Sequence, residues 1–452
     1  MPVDLRISGG TALTPAGALD ADVLVSDGKI VGLVDREVET GGQVVDATGK
    51  LVLPGMVDVH VHTREPGFTH KEDIHTTSLQ AAAGGVTTIF GMPNLDPPTT
   101  TMETLDDVFS RYAETCIVDW NHNPAATLPG EVVKMAAAGI RAFKVYMVVD
   151  TGRTYPHPAG TGMHDHGDLL RMMDTIAPTG KRFIIHPHDQ GLMDYIEGAY
   201  LERGENTPAA YAQAYAEREG VIWDTAIDVV LRLAEASKCP IHLAHMQTRR
   251  SIEAVRRAKA RGVDVTCEVN HWMPFLSQWE HVERLGPYAL SYWVPDDARQ
   301  AVWEGMNDGT IDHVASDHAP HTREEKEIGW TKMWSSHTGT PGIQYYYPLL
   351  LDAAAKGLIS LSRVVEMAAE HPARDFGLPH KGALLPGRDA DIVIADPDAP
   401  WTITNDGVLS KIGWTPYDGT TCSARIDRTY VRGVEVYSEG KVTGRPGHGK
   451  KA

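Results

Sequence analysis

The feature that most constrains the fold is an alternation of short apolar runs with longer helical stretches between about Pro54 and Pro386. Eight runs are candidate strands: MVDVHVH, GVTTIFGM, TCIVDWN, IRAFKVYM, KRFIIH, CPIHLAH, GVDVTCEV and IDHVASD. Helical stretches such as RRSIEAVRRAKARG lie between them. This alternation is typical of βα units and a parallel sheet. Eight units predict an α/β chain with a (β/α)8 barrel, and a doubly wound open sheet is the alternative.

The two ends of the chain are rich in short β-like runs instead. Asp27-Gly28 separates two apolar runs near the start, which is a strong hairpin signal. Similar runs return in DADIVIADPD and RTYVRGVEVYSEGK. We therefore expect a small β-sandwich domain made of residues 1–53 and 387–443, with the barrel of residues 54–386 inserted between them. Residues 444–452 are Gly-rich and basic, and we expect a flexible tail there.

Composition excludes several classes of protein. The chain has 452 residues, 42% of them hydrophobic, and a formal net charge of −18, which argues against a nucleic-acid partner. No apolar stretch approaches the roughly 20 residues that cross a bilayer, and no secretory leader is recognisable at the start. The cysteines are widely spaced, which indicates reduced, buried thiols and a cytoplasmic protein: Cys116, Cys239, Cys267 and Cys422.

The first candidate strand carries an HxH pair. In GMVDVHVHTREPG the alternation places Asp58, His60 and His62 on one face and the three valines on the other. We expect the valines to face the helices and the histidines to lie inside the barrel mouth, where active sites of this fold form. Two imidazoles at i and i+2 can bind one metal ion from one side. The alternative is a pair of hydrogen-bonded polar histidines near a barrel end.

Other candidate strands end in possible ligands as well. These are His186, with His188 two residues on, His245, and Asp317. Because the carboxyl ends of barrel strands meet at one mouth, four such strands favour a shared metal site. Taken singly, each of these residues could instead belong to the core or support a ligand, and we favour that reading for His242, His313 and His318.

Lys144 stands in the middle of the apolar strand GIRAFKVYMVVD. Lysine is rarely buried without a partner. Burial and nearby cations favour its neutral form, and a neutral amine can react with CO2 to give a carbamate that bridges two metal ions. The alternative is an ion pair with a buried carboxylate, for which Asp58 and Asp150 are candidates.

Taken together, these motifs resemble the cyclic amidohydrolases of the amidohydrolase superfamily, which include dihydroorotases, hydantoinases or dihydropyrimidinases, and allantoinases. The resemblance runs from VSDGKI and DATGKLVLPGMVDVHVHTREPG, through AAAGGVTTIFGMPN and SDHAPHT, to GALLPGRDADIVIADP. It implies a metal-dependent hydrolase that opens the C–N bond of a small cyclic amide, imide or ureide, most like dihydroorotase.

The resemblance also implies roles for single residues. Two divalent ions, most often zinc with manganese or cobalt possible, are bridged by carboxylated Lys144, and Asp317 moves the proton during catalysis. One ion would be held by His60, His62 and Asp317, and the other by His186 and His245. The substrate carboxylate would be held by Arg64, Asn94 and His321. A bidentate Arg64 suits that task, and a loop salt bridge is its alternative.

The chain departs from the dihydroorotase pattern in places that bear on the substrate. His188 stands where dihydroorotases usually carry Glu, and LSYWVPDD brings Tyr292 and Trp293 to a position where relatives read PPLR. Val149 stands where dihydropyrimidinases place a Tyr, and the His-rich stretch at 150–168 has no assigned role.

These departures leave three alternatives to dihydroorotase open. The alternatives to dihydroorotase are the hydantoinase, dihydropyrimidinase or allantoinase type of ring opening and a specialised cyclic amide hydrolase. A non-catalytic structural relative is the third reading, although it predicts lost ligands. The resemblance further implies a homodimer or homotetramer.

Overall fold

The computed structural model describes residues 3–36, 38, 41–149, 159–289 and 297–452. The N-terminal part of the chain, up to Pro54, supplies seven strands: β1 (Leu5–Ser8), β2 (Thr11–Thr14), β3 (Gly17–Leu19), β4 (Asp22–Ser26), β5 (Lys29–Val34), β6 (Gln43–Asp46) and β7 (Leu51–Pro54). Eight more follow: β8 (Met56–Val61), β9 (Val86–Gly91), β10 (Asp119–His122), β11 (Ala142–Tyr146), β12 (Arg182–His186), β13 (Ile241–Leu243), β14 (Val265–Val269) and β15 (His313–Val314). The last are β16 (Ile392–Asp396), β17 (Trp401–Thr402), β18 (Thr421–Cys422), β19 (Arg425–Val431), β20 (Val434–Ser438) and β21 (Lys441–Val442).

The two ends of the chain form a β-sandwich, as predicted. One sheet has the order β5-β4-β1-β6, and the other has the order β21-β20-β19-β16-β7-β2-β3. The distant segments meet where β16 pairs antiparallel with β7, with Val393 opposite Leu53. Apolar side chains of both sheets, among them Ile7, Val23 and Ile392, share one buried cluster. The finer division at residues 53/54 and 386/387 stays a prediction.

The middle of the chain forms the predicted eight-stranded parallel barrel. All eight candidate strands are present, in the orders β10-β9-β8 and β11-β12-β13-β14-β15. Two parallel bridges close the ring, one between Ala125 and Lys144 and the other between Val61 and His318. A closed parallel barrel directs the carboxyl ends of its strands to one mouth.

Helices surround the barrel and fill its longer connections. They are α1 (Ile74–Ala83), α2 (Met102–Thr115), α3 (Pro129–Ala137), α4 (His166–Ile176), α5 (Gln190–Glu202), α6 (Pro208–Ala216), α7 (Val221–Ser237), α8 (Arg249–Ala260), α9 (Trp272–Leu276), α10 (Trp279–Leu285), α11 (Asp297–Asp308), α12 (Arg323–Glu327), α13 (Tyr346–Ala355), α14 (Leu361–Val365) and α15 (His371–Asp375). The starts of α1, α2 and α12 are fixed by capping boxes at Asp73, Thr101 and Thr322. No helix in the described ranges is both long and apolar enough to span a membrane.

The C-terminal residues contradict the expected flexible tail. Lys451 forms a parallel bridge with Trp120 of β10, and the amide of Ala452 donates to the Trp120 carbonyl at 2.8 Å. The Ala452 carbonyl accepts from Asn121 at 2.6 Å and from Arg141 at 3.1 Å. Glycine content predicted fraying, but unpaired backbone groups of β10 hold this segment in place.

Candidate metal centre

Three predicted ligands meet at the barrel mouth. Ligand atoms of His60, His62 and Asp317 all lie within 4.8 Å of one another. The Nε2 atoms of His60 and His62 lie 3.2 and 3.1 Å from Oδ1 of Asp317. Two imidazole nitrogens and one carboxylate oxygen therefore lie close enough together to hold one divalent metal ion.

A second pair of histidines lies beside the first cluster. Nδ1 of His186 and Nε2 of His245 are 2.7 Å apart. The rings of His60 and His245 have centroids 6.0 Å apart, which connects the pair to the first cluster. Burial lowers the pKa of His245 to about 3 and that of His62 to about 4. Both imidazoles are therefore neutral near pH 7, the form that binds metal.

Lys144 lies on β11, which follows the HxH strand β8 around the barrel and pairs with β12, the strand that ends in His186. Its side chain is fully buried. Its Nζ makes no hydrogen bond to the described residues, and it lies 5.0 Å from the centre of the Tyr146 ring. Asp58, a proposed partner, instead accepts backbone amides of His60 and Ser316. Asp150, the other candidate, lies outside the described residues. Burial lowers the pKa of Lys144 to about 8.

Asp317 is held in a strained and polar setting. Burial alone would raise its pKa, but His60, His62 and His245 hold the pKa of Asp317 well below its usual range. Its second oxygen accepts a hydrogen bond from Nδ2 of Asn270 at 3.1 Å. The φ angle is 46° at Asp317, 41° at His245 and 61° at Arg64. Such backbone strain in non-glycine residues concentrates at functional sites.

The three residues predicted to hold the substrate have other contacts. Oδ1 of Asn94 lies 2.6 Å from Nδ1 of His62, so Asn94 orients a candidate ligand. The Arg64 guanidinium donates from Nε to the Pro320 carbonyl at 3.2 Å, and its Nη2 lies 3.1 Å from Nε2 of His321. His321 is fully buried and stacks on His337. One edge of Arg64 is therefore occupied within the protein, which differs from the expected bidentate grip.

The valines of the HxH strand do not share one environment. Val57 and Val59 pack in a cluster with Ala142 and Ile184, whereas Val61 joins the main core. The expectation that all three face the helices is therefore wrong. The reason is two shifts in the pairing of β8 with β9, which break the strict alternation.

One candidate functional residue, Glu268, was not identified from the sequence. Some of the predicted residues lie outside the described ranges. Glu268 is fully buried, and its carboxylate contacts both His60 and His242. Its signal was a charge within the apolar run DVTCEV, as for Lys144. Tyr292, Trp293 and positions 150–158 of the His-rich stretch lie outside the described residues. His188 lies beside the site, with Nδ1 3.2 Å from Nε2 of His186.

The residues present fit a pair of divalent metal ions. Nitrogen and carboxylate donors converge in two neighbouring groups. The unpartnered amine of Lys144 is a buried polar group without compensation among the described residues. Such a group is costly unless a further partner satisfies it.

The whole chain is similar to known cyclic amidohydrolases. Residues 51–436 match the model of the Amidohydrolase family. A dihydroorotase from Methanosarcina acetivorans is 32% identical over 464 residues, which covers 98% of this chain and 93% of that protein. An L-hydantoinase from Paenarthrobacter aurescens is 30% identical over 465 residues, covering 99% and 97%. The solved L-hydantoinase (dihydropyrimidinase) from Arthrobacter aurescens superposes with a TM-score of 0.94 at 29% identity, covering 99% of both chains.

A family match over most of the length, with the fold and the converging ligands, leads to one assignment. The chain belongs to the amidohydrolase family.

Proposed function

We propose that this chain is a binuclear metal-dependent hydrolase that opens the C–N bond of a small cyclic amide, imide or ureide, most like dihydroorotase. The observation that carries the proposal is the convergence of two ligand groups beside a buried lysine amine that has no hydrogen-bond partner among the described residues. Dihydroorotases and hydantoinases, the two kinds of relative described above, are both cyclic amidohydrolases.

The proposed ligands follow the two groups. One ion would be held by His60, His62 and Asp317 and the other by His186 and His245, and carboxylated Lys144 would be shared by both. Imidazole and carboxylate donors suit zinc best, with manganese or cobalt as substitutes. The lowered pKa of Lys144, about 8, supports the carbamate because it increases the neutral amine at pH 7.

When bound, two metal ions supply a water of lowered pKa and polarise the carbonyl that is attacked. Asp317 takes the proton of the attacking water and then passes it to the leaving ring nitrogen. Oδ1 of Asp317 faces His60 and His62, while Oδ2 is fixed by Asn270. A carboxylate held on both sides keeps one orientation through the two proton transfers, so little reorganisation opposes them.

The surroundings of Arg64 favour an anionic substrate. Three basic side chains, Arg64, Lys71 and Lys326, are buried near one another, and Lys71 is ion-paired with Glu325 at 2.7 Å. Burial lowers the pKa of Arg64 to about 10, which leaves it charged near pH 7. Among the described residues Nη1 of Arg64 has no recorded hydrogen-bond partner. This atom is the proposed contact for the carboxylate of dihydroorotate.

Hydantoinase is the second candidate, and the structural likeness to the L-hydantoinase from Arthrobacter aurescens favours it. Ring opening of dihydroorotate, hydantoin, dihydrouracil and allantoin, measured side by side, separates the candidates. We expect the highest kcat/KM for dihydroorotate. Turnover of hydantoin or allantoin without dihydroorotate would contradict the preference, and turnover of none would leave a specialised cyclic amide or a non-catalytic role.

The non-catalytic alternative predicts lost ligands, whereas all six proposed positions carry ligating side chains. All four cysteines are buried and unpaired, which supports a reducing compartment and hence the predicted cytoplasmic location. The predicted homodimer or homotetramer stays a prediction, which light scattering on the purified protein measures.

A further inference from the structure

Strand β14 supplies no ligand in the proposed set, yet it carries polar side chains toward the site. Thr266 and Glu268 alternate with apolar residues and therefore share one face of the strand, and Asn270 follows directly after it. Glu268 is 0% exposed, and no lysine or arginine contacts it among the described residues. A buried carboxylate is costly unless its oxygens are satisfied, so its partners reveal what it does.

Both oxygens of Glu268 contact histidines. Oε1 accepts from Nδ1 of His60, and Oε2 lies 3.0 Å from Nε2 of His242. Nδ1 of His242 lies 2.8 Å from Oγ1 of Thr266, whose hydroxyl can donate to it. Both oxygens of this buried carboxylate therefore face ring nitrogens of buried histidines.

This arrangement fixes which nitrogen of His60 carries its proton. A carboxylate oxygen accepts hydrogen bonds, so Nδ1 of His60 donates to Oε1 of Glu268, and Nε2 is left as the ring atom that can bind a metal ion. That Nε2 atom is the one 3.2 Å from Oδ1 of Asp317. Asn270, the residue directly after β14, donates a hydrogen bond to the other oxygen of Asp317. One strand thus holds two members of the cluster from behind.

We propose that Glu268 is a positioning residue of the metal centre, which sets the tautomer and ring orientation of His60 and makes it a stronger ligand. The role rests on the proposed function, since it requires that His60 binds a metal ion. Carboxylates behind ligand histidines raise ligand basicity, and their loss typically lowers metal affinity about 10- to 100-fold.

The test is Glu268→Gln, which keeps the shape of the side chain and removes its charge. The matched control is Asp375→Asn, because Asp375 forms a similar pair with the buried His313 at 2.8 Å but contacts no proposed ligand. Metal-free protein is titrated with Zn2+ against a chromogenic chelator. The visible spectrum of the Co2+-substituted protein is recorded in parallel, since it reports ligand geometry rather than stability.

We expect Glu268→Gln to bind one of the two ions about 10- to 100-fold more weakly, with a changed Co2+ spectrum. Asp375→Asn should match the wild type in both readouts. If Glu268→Gln does not fold, Glu268→Asp, which keeps the charge but cannot reach both histidines, should show the same selective loss. If the folded variant keeps the wild-type metal affinity and Co2+ spectrum, the positioning role of Glu268 is wrong, while the proposed function stands. Wild-type protein that binds no divalent ion would overturn the proposed function and this role together.

Discussion

Replacing Lys144 with Met should stabilise the metal-free protein at neutral pH while abolishing activity. Methionine fills much of the same volume without an amine that must be desolvated. Burial lowers the pKa of Lys144 from its ordinary value of 10.5 to about 8. One pKa unit corresponds to about 1.4 kcal/mol, so burying the charged amine lowers the free energy of unfolding by about 3 kcal/mol.

The pH dependence follows from proton linkage. Below pH 8 both folded and unfolded states hold the proton, and the full cost applies. Between pH 8 and 10.5 the unfolded chain binds more protons than the folded one, so wild-type stability rises with pH. The advantage of the Met variant should therefore be about 3 kcal/mol at pH 7 and should vanish near pH 10.5.

Urea unfolding of metal-free, CO2-free protein at several pH values measures this difference. The control is Lys134→Met, at a lysine whose side chain is 62% exposed, where stability should change by no more than about 0.5 kcal/mol. A Met variant that is less stable at pH 7, or whose advantage is independent of pH, would refute the claim that the buried Lys144 amine has no hydrogen-bond partner in the described part of the chain.

Three further changes test the proposed roles. Lys144→Ala should lose one metal ion and most activity, and short-chain carboxylic acids should restore part of both by replacing the carbamate; full metal content without rescue would contradict the bridge. Asp317→Asn should retain metal but lose roughly 10² to 10⁴ in kcat, as expected for a lost proton carrier, and near-normal turnover would remove it from the mechanism. Arg64→Met should lower kcat/KM for dihydroorotate by about 10- to 100-fold, the cost of a charged hydrogen bond. It should leave dihydrouracil, which lacks the carboxylate, unchanged, and equal losses on both would show a structural role.

Much of the fold was readable from the sequence because local patterns and global architecture agree. The eight apolar runs became the eight barrel strands, and the distant β-rich ends met in one sandwich. The tail at 444–452 was misjudged because its pairing with β10 depends on a contact more than 300 residues away in sequence, between Trp120 and Lys451. Composition carries no information about such a partner.

The meeting of candidate ligands at one place was also readable, since strand ends in a barrel converge on one mouth, while their role as ligands stays a prediction. His60, His62 and Asp317 lie together as expected, and Lys144 is as buried as its apolar strand implied. The contacts behind the ligands were not readable. Glu268 reaches His60 from 208 positions away, and Asn94 contacts His62 rather than open solvent. Such pairings follow from how neighbouring strands are registered, which no local pattern specifies.

The measurement that tests the central claim most directly is the metal content of the protein purified from metal-replete medium. Elemental mass spectrometry should find about two equivalents of zinc, manganese or cobalt per chain, as a bridged two-metal centre requires. Less than about one equivalent would contradict the binuclear centre and favour a non-catalytic member of the family.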